Sequence, residues 1–173
     1  HARERELDEA LMQVEKESNV DALYLVDSFG ALYSEQISHL AKKYKSLMPT
    51  KEIGVHAHNN QQLAFANTIE AIIQNVNYLD GTIFGIGRAA GNCPLELLLG
   101  FLKNPKYDLR PILEILESHF VKLKEEIEWG YTIPYMITGI LDLHPRAGMK
   151  LRKSESKDDY LGFFDSLAQS DSA

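Results

Sequence analysis

A single cysteine, Cys93, has nothing to pair with, so an internal disulfide framework is excluded. Its use suits a reducing compartment, and the expected location is the cytoplasm. Basic residues are in the minority: 18 Lys and Arg stand against 25 Asp and Glu, for a formal net charge of −7. That balance argues against a nucleic-acid or anionic-membrane partner, either of which wants a basic patch. Small anions stay open, because a bound metal reverses the local field. No apolar run approaches the ~20 residues that span a bilayer, and no signal-peptide pattern follows His1. What remains is an ordinary globular composition, 45% hydrophobic and 25% charged over 173 residues, enough for one sizeable core.

The stretch around which the rest is organised is Ile53-Gly54-Val55-His56-Ala57-His58-Asn59-Asn60. It reads as a short buried strand ending in two histidines. Residues two apart on a strand share a face, so His56 and His58 project together. Two neutral imidazoles on one rigid element make half of a divalent-metal site. Chance is the competing reading, since the chain has six histidines.

The flanking chain alternates strand and helix. Glu6 to Lys16 has helical spacing, and Ala22-Leu23-Tyr24-Leu25-Val26 is an apolar run of strand length, as for a parallel strand covered on both faces. Ser34 is placed to cap a helix that Met48-Pro49 ends. Gln61 to Val76 is helical, and Tyr78 to Phe84 is a third strand, running into the turn Gly85-Ile86-Gly87-Arg88-Ala89-Ala90-Gly91-Asn92. Pro94 fits a first helical position, with Asn92 or Cys93 as cap, before a short helix Leu95 to Leu102. Each unit is about thirty residues, the size of a βαβ step, and polar residues cluster at the strand ends, where α/β proteins carry their sites.

After Asp108 only helices are expected. Pro111 opens a long one with Leu113, Leu116, Phe120, Leu123 and Ile127 on one stripe. Trp129-Gly130-Tyr131 interrupts, and the apolar helix Ile133 to Leu141 could face a second copy in a homodimer. His144-Pro145-Arg146 is a turn into a charged segment, Asp159 to Leu167 is a last short helix, and the final Ser, Asp and Ala residues should be disordered.

Asp27, His56, His58 and Asn92 would be neighbours on one rim of a parallel sheet or barrel. Imidazole nitrogens with an amide oxygen suit Mn²⁺, Mg²⁺, Co²⁺ or Zn²⁺ with open positions for substrate. Asp27 is a candidate carboxylate ligand or substrate-binding residue, against the commoner role of holding its loop through backbone hydrogen bonds. Asn92 is equally well read as a plain cap. Arg88 either binds a substrate carboxylate or lies in solvent. Cys93 has no base beside it and reads as a small buried residue; His39 and His119 fall within helical patterns and read as structural. Tyr131 and Tyr135 follow a helix break, where a phenol can serve as an acid or simply pack.

The order Asp27-Ser28-x-Gly30, His56-x-His58-Asn59-Asn60 with Ala66-Asn67, and Gly85-x-Gly87-x-x-x-Gly91-Asn92-x-x-x-Glu96 resembles the metallolyase superfamily of TIM barrels. That superfamily holds 4-hydroxy-2-oxovalerate aldolase, 3-hydroxy-3-methylglutaryl-CoA lyase and 2-isopropylmalate synthase. The match covers roughly residues 20 to 105 and looks most like the first branch. The resemblance implies that His56 and His58 are metal ligands at the seventh strand's end and that Asn92 sits at or next to the metal after the eighth. It further implies that Tyr131 reaches the substrate, with Mn²⁺ the first choice of metal. In that chemistry the metal binds the carboxylate and keto oxygen of a 2-oxo acid and stabilises a pyruvate enolate as a carbon–carbon bond breaks or forms.

The family's first strand carries an Arg-Asp pair, and no such segment occurs here. A full (β/α)₈ barrel takes ~250 residues. The expectation is therefore a partial TIM barrel over residues 1–108, its last three βα units, with a helical extension over 109–173. The missing N-terminal part of the barrel would be its partner, and the piece alone is expected to be inactive. An acyl-CoA lyase or synthase of the same superfamily is the alternative enzyme, and a non-catalytic binding or assembly remnant the alternative outside enzymes.

Overall fold

Leu25, Ile53 and Val55 are almost fully buried, and each sits opposite a strand partner on the same side of a parallel sheet. In the computed structural model, which describes residues 4–170, this sheet has three strands in the order β1-β2-β3. They are β1 (Ala22–Asp27), β2 (Glu52–Ala57) and β3 (Tyr78–Leu79). Helices α1 (Glu4–Lys16), α2 (Ser34–Leu47) and α3 (Ala64–Ile73) alternate with them. Leu11 of α1, Ile37 and Tyr44 of α2, and Ala71 of α3 close over Leu25, Ile53 and Val55 to form the main core. Burying each such aliphatic side chain contributes about 1.5–3 kcal/mol before chain entropy is counted.

All three helices lie on that one face; within this chain the other face of the strands, expected to be covered as well, is open. The opposite face carries Tyr24 and Val26 of β1, Gly54 and His56 of β2, and Tyr78 of β3, by strand alternation and register. Val26 is 46% exposed and Tyr78 43%. The apolar run of β1 therefore serves a core on one side and an open face on the other.

Local chemistry sets the ends. Tyr33 rather than Ser34 precedes α2, and its N–H is taken by the Gln36 side chain at 2.9 Å. Asn59 Oδ1 accepts the Ala64 N–H at 3.1 Å, so α3 starts three residues later than its apolar spacing implies. It ends at Ile73 because Asn75 takes a left-handed φ of 53°. Lys45 Nζ covers the free carbonyl of Asn75 at 2.7 Å.

The third strand is the largest difference from expectation. Pairing stops at Leu79, and Ile83–Gly85 form a single 3₁₀ turn in place of a strand continued to Phe84. Pro94 takes the cap position of α4 (Leu95–Leu102), and neither Asn92 nor Cys93 caps it.

Beyond α4 the chain is helical. Segments α5 (Arg110–Ile115) and α6 (Val121–Glu126) form one rod through a π-helical turn at Leu116–Phe120. Asp108 Oδ1 starts the rod by accepting the Arg110 N–H at 2.9 Å. Its half-buried stripe is Ile112, Leu116, Phe120 and Leu123; Leu113 and Ile127 of the expected stripe are 51% and 50% exposed. The π-turn shifts the helical phase, which the 3.6-residue spacing cannot anticipate.

Then follow α7 (Ile133–Ile140), α8 (Arg146–Arg152) in the segment read as charged, and α9 (Tyr160–Ser170). Tyr135 and Ile137 of α7 are buried within this chain, while Ile140 is exposed. Residues 171–173, expected to be disordered, lie outside the described residues. Among the described residues no helix is long and apolar enough to cross a membrane.

Candidate metal centre

His56 leaves β2 on the open face and His58 follows just past its end, so their rings meet edge-on with centroids 4.9 Å apart. Each ring is fixed through Nδ1. His58 Nδ1 lies 2.9 Å from the main-chain carbonyl of Asp27, which can only accept, so Nδ1 carries the proton. His56 Nδ1 lies 3.0 Å from Oδ2 of Asp80 and donates to that carboxylate. Among the described residues neither Nε2 has a hydrogen-bond partner. This is the arrangement of metal-binding histidines, whose other nitrogen is held by a carbonyl or carboxylate. Burial pushes the His58 imidazole below its ordinary pKa against the pull of the Asp27 carbonyl, and nearby His56 and Arg88 push it the same way. Burial thus favours the neutral ring, the form that binds a metal.

A third polar group comes from the turn after β3. Main-chain pairing of His58 with Asn92, and the Asn59 N–H on the Gly91 carbonyl at 2.8 Å, bring this turn against the end of β2. Asn92 Nδ2 donates to the Ile86 carbonyl at 3.0 Å, while its Oδ1 is buried with no hydrogen-bond partner. An orphaned buried acceptor costs about 1–3 kcal/mol, a cost that a bound cation removes. Two imidazoles and this amide oxygen fit a divalent ion with positions left for a substrate. Among the described residues no group of three or more His, Cys, Asp and Glu side chains converges on one point.

Asp27 does not face the site directly. It is 1% exposed, and its two oxygens accept the Ala31 and Leu32 N–H groups at 3.0 and 3.3 Å. Burial nevertheless pushes its carboxyl up, with those N–H groups pulling the other way. The side chain holds the loop, and its carbonyl orients His58; this corrects the expectation of substrate contact.

Arg88 is exposed and donates Nη2 to the Ser28 carbonyl at 3.0 Å, which fixes it beside the same loop. Tyr131 is 55% exposed and follows Gly130, whose N–H reaches the Ala89 carbonyl at 3.3 Å. The structure therefore brings His56, His58, Asn92 and Arg88 onto one rim, with the Tyr131 backbone beside it. Burial raises the Cys93 thiol pKa, consistent with a packed side chain rather than a nucleophile.

Several contributors have no role assigned from the sequence, although Asn60 and Asn67 belong to the quoted motifs. Asp80 holds His56, yet nothing in the run Tyr78 to Phe84 marks the Asp within it as the partner of a residue 24 positions earlier. Asn60 Nδ2 donates to the Phe29 carbonyl at 2.8 Å. Gln61 Nε2 ties Ala31 to Gly139 at 3.1 and 3.0 Å, and Asn67 Nδ2 donates to the Leu32 carbonyl at 2.7 Å. The run of amides after His58 was the available signal.

Replacing Asp80 by Asn removes the charge that strengthens the Nδ1–H bond of His56. Metal affinity should fall about tenfold with little change in circular dichroism; titration calorimetry with Mn²⁺ checks it.

This parallel α/β unit has counterparts among known proteins. The HMGL-like family model matches residues 2–118, and the chain belongs to that family. It is 38% identical over 101 residues to the 4-hydroxy-2-oxovalerate aldolase of Thermus thermophilus, covering 56% of this chain and 29% of that one. It is 35% identical over 88 residues to the oxaloacetate decarboxylase of Mycobacterium tuberculosis, covering 51% of this chain and 26% of that one. Among solved structures, the N-terminal domain of a protein assigned as an aldolase in Bacteroides vulgatus aligns with a TM-score of 0.71 at 33% identity. That alignment covers 78% of this chain and 46% of that one. The carboxyl transferase domain of Rhizobium etli pyruvate carboxylase aligns at 0.69 with 15% identity, over 95% of this chain and 28% of that one, and shares the fold. The chain spans about a quarter to a third of the length of the curated relatives it matches.

Proposed function

We propose that this chain is the C-terminal part of a TIM barrel, residues 1–108, with a helical extension over 109–173, in a divalent-metal-dependent carbon–carbon lyase. The substrate would be a 4-hydroxy-2-oxo acid, cleaved or formed as in an aldol reaction. The observation that carries this reading is the pair of histidines held through Nδ1, with Asn92, whose buried Oδ1 has no hydrogen-bond partner, paired to His58 through the main chain. The names of the two relatives add weight, since oxovalerate and oxaloacetate share the 2-oxo acid unit.

His56, His58 and Asn92 would hold the ion, with Mn²⁺ the first choice and Mg²⁺, Co²⁺ or Zn²⁺ as others. Once bound it supplies Lewis acidity toward the carboxylate and keto oxygens, worth several kcal/mol of charge stabilisation. Arg88, anchored on Ser28, keeps guanidinium N–H groups for a substrate carboxylate. Tyr131 stands next to the Arg88–Ala90 turn, where its phenol would donate a proton to, or take one from, a substrate oxygen.

The open face of the sheet and its two edge strands would be covered by the preceding part of the barrel, and the isolated chain is proposed to be inactive. A cytoplasmic location fits this enzyme class. Dialysis of the full natural protein against EDTA should abolish pyruvate release from a 4-hydroxy-2-oxo acid, and added Mn²⁺ should restore it. Unchanged turnover after chelation would overturn the proposal.

A further inference from the structure

The helical extension reaches the candidate metal centre through one side chain. Trp129 is 4% exposed and donates its indole Nε1–H to the Phe84 carbonyl at 2.8 Å. Its ring meets the Phe84 ring edge-on at 5.8 Å. Its Cδ1 also lies 3.5 Å from where a Cβ on Gly91 would stand, so the indole packs against the residue before Asn92. One indole thus touches the start and the end of the turn whose last residue is the amide donor.

The turn needs such support. Phe84 has a left-handed φ of 56°, which a bulky side chain adopts only when its surroundings impose it. Those surroundings are Trp129, the Glu96 carboxylate on the Phe84 N–H at 3.0 Å, and the Lys124 ammonium 4.4 Å from the Phe84 ring centre. Lys124 also lies 5.4 Å from the Trp129 ring centre, so it bridges both aromatic faces. Inside the turn, Asn92 N–H bonds the Gly85 carbonyl at 3.0 Å and Asn92 Nδ2 bonds the Ile86 carbonyl at 3.0 Å. The place of Asn92 Oδ1 therefore follows from where Phe84–Ile86 sit, and Trp129 sets that.

We infer that Trp129 is a positioning residue for the metal centre, clamping the 84–92 turn so that Asn92 Oδ1 stays beside the two imidazoles. The inference rests on the metal-centre reading and extends it: the helical extension becomes part of the metal-binding unit.

The test is a Co²⁺ titration of the full natural protein, read by visible absorption, for the wild type, Trp129→Leu, Trp129→Phe and His58→Ala. Trp129→Leu removes both the N–H bond and the aromatic contact. It should weaken Co²⁺ binding at least tenfold and change the cobalt band, while the thermal midpoint shows the protein still folded. Trp129→Phe keeps the edge contact and loses the N–H, and should lie between the two. Trp129→Leu binding Co²⁺ with wild-type affinity and spectrum would overturn the inference while leaving the metal centre intact. Wild-type protein that binds no Co²⁺, or binds it equally well after His58→Ala, would overturn the metal centre and the inference together. Should Trp129→Leu fail to fold, Trp129→Phe decides: a measurable weakening supports the clamp, and wild-type binding and spectrum contradict it.

Discussion

His58→Ala in the full natural protein is expected to lower affinity for Mn²⁺ by more than about 100-fold, beyond the 10–100-fold typical of losing only a ligand's outer partner. The substitution removes one of two imidazole donors. It also leaves the Asp27 carbonyl without the Nδ1–H that it accepts at 2.9 Å. That second loss costs about 1 kcal/mol of stability, so the fold should survive with a modestly lower thermal midpoint. Titration calorimetry and a melting curve on the same sample separate the two effects. His56→Ala should act similarly on the metal and leave the Asp80 carboxylate without its imidazole partner. A histidine pair present only for packing would show the stability loss without the affinity loss.

Gly91→Ala is expected to destabilise the protein by about 2–4 kcal/mol, the sum of left-handed backbone strain and a forced opening of the turn. Gly91 has a φ of 84°, and an added Cβ would stand 2.0 Å from the Gly85 carbonyl oxygen. That oxygen accepts the Asn92 N–H at 3.0 Å, so the clash falls on the hydrogen bond that closes the turn. Metal affinity should fall with stability, since Asn92, the proposed amide donor, is the next residue. Gly100→Ala is the matched control. It lies inside α4 with nothing within 4 Å of an added Cβ, and should stabilise by about 0.5–1 kcal/mol. Urea unfolding of both variants measures the difference; a Gly91→Ala midpoint equal to the wild type would show that the turn relaxes freely.

What could be read ahead of the structure was what rests on spacing. β1, β2, α1, α2 and α4 follow from apolar period and short breaks, and the shared face of His56 and His58 follows from strand alternation alone. The third strand failed because Ile83 and Phe84 are apolar for another reason. Phe84 turns left-handed and packs its ring on Trp129, a contact 45 residues away that no local window contains. Asn92 was ambiguous between cap and ligand, and Pro94 settles the first question by occupying the cap position itself. Asp27 was placed correctly at a strand end, but whether a carboxylate there faces a substrate or its own loop depends on the Ala31 and Leu32 N–H groups. α8 was hidden by its Arg and Lys residues, which read as a charged loop. Its buried Gly148 lies so close to α7 that an added Cβ would stand 3.0 Å from the Pro134 carbonyl oxygen.

The most direct measurement is an anomalous-difference map from crystals of the full natural protein grown with Mn²⁺. A single strong peak is expected within bonding distance of His56 Nε2, His58 Nε2 and Asn92 Oδ1. A peak elsewhere, or well-ordered histidines with no peak at saturating Mn²⁺, would contradict it.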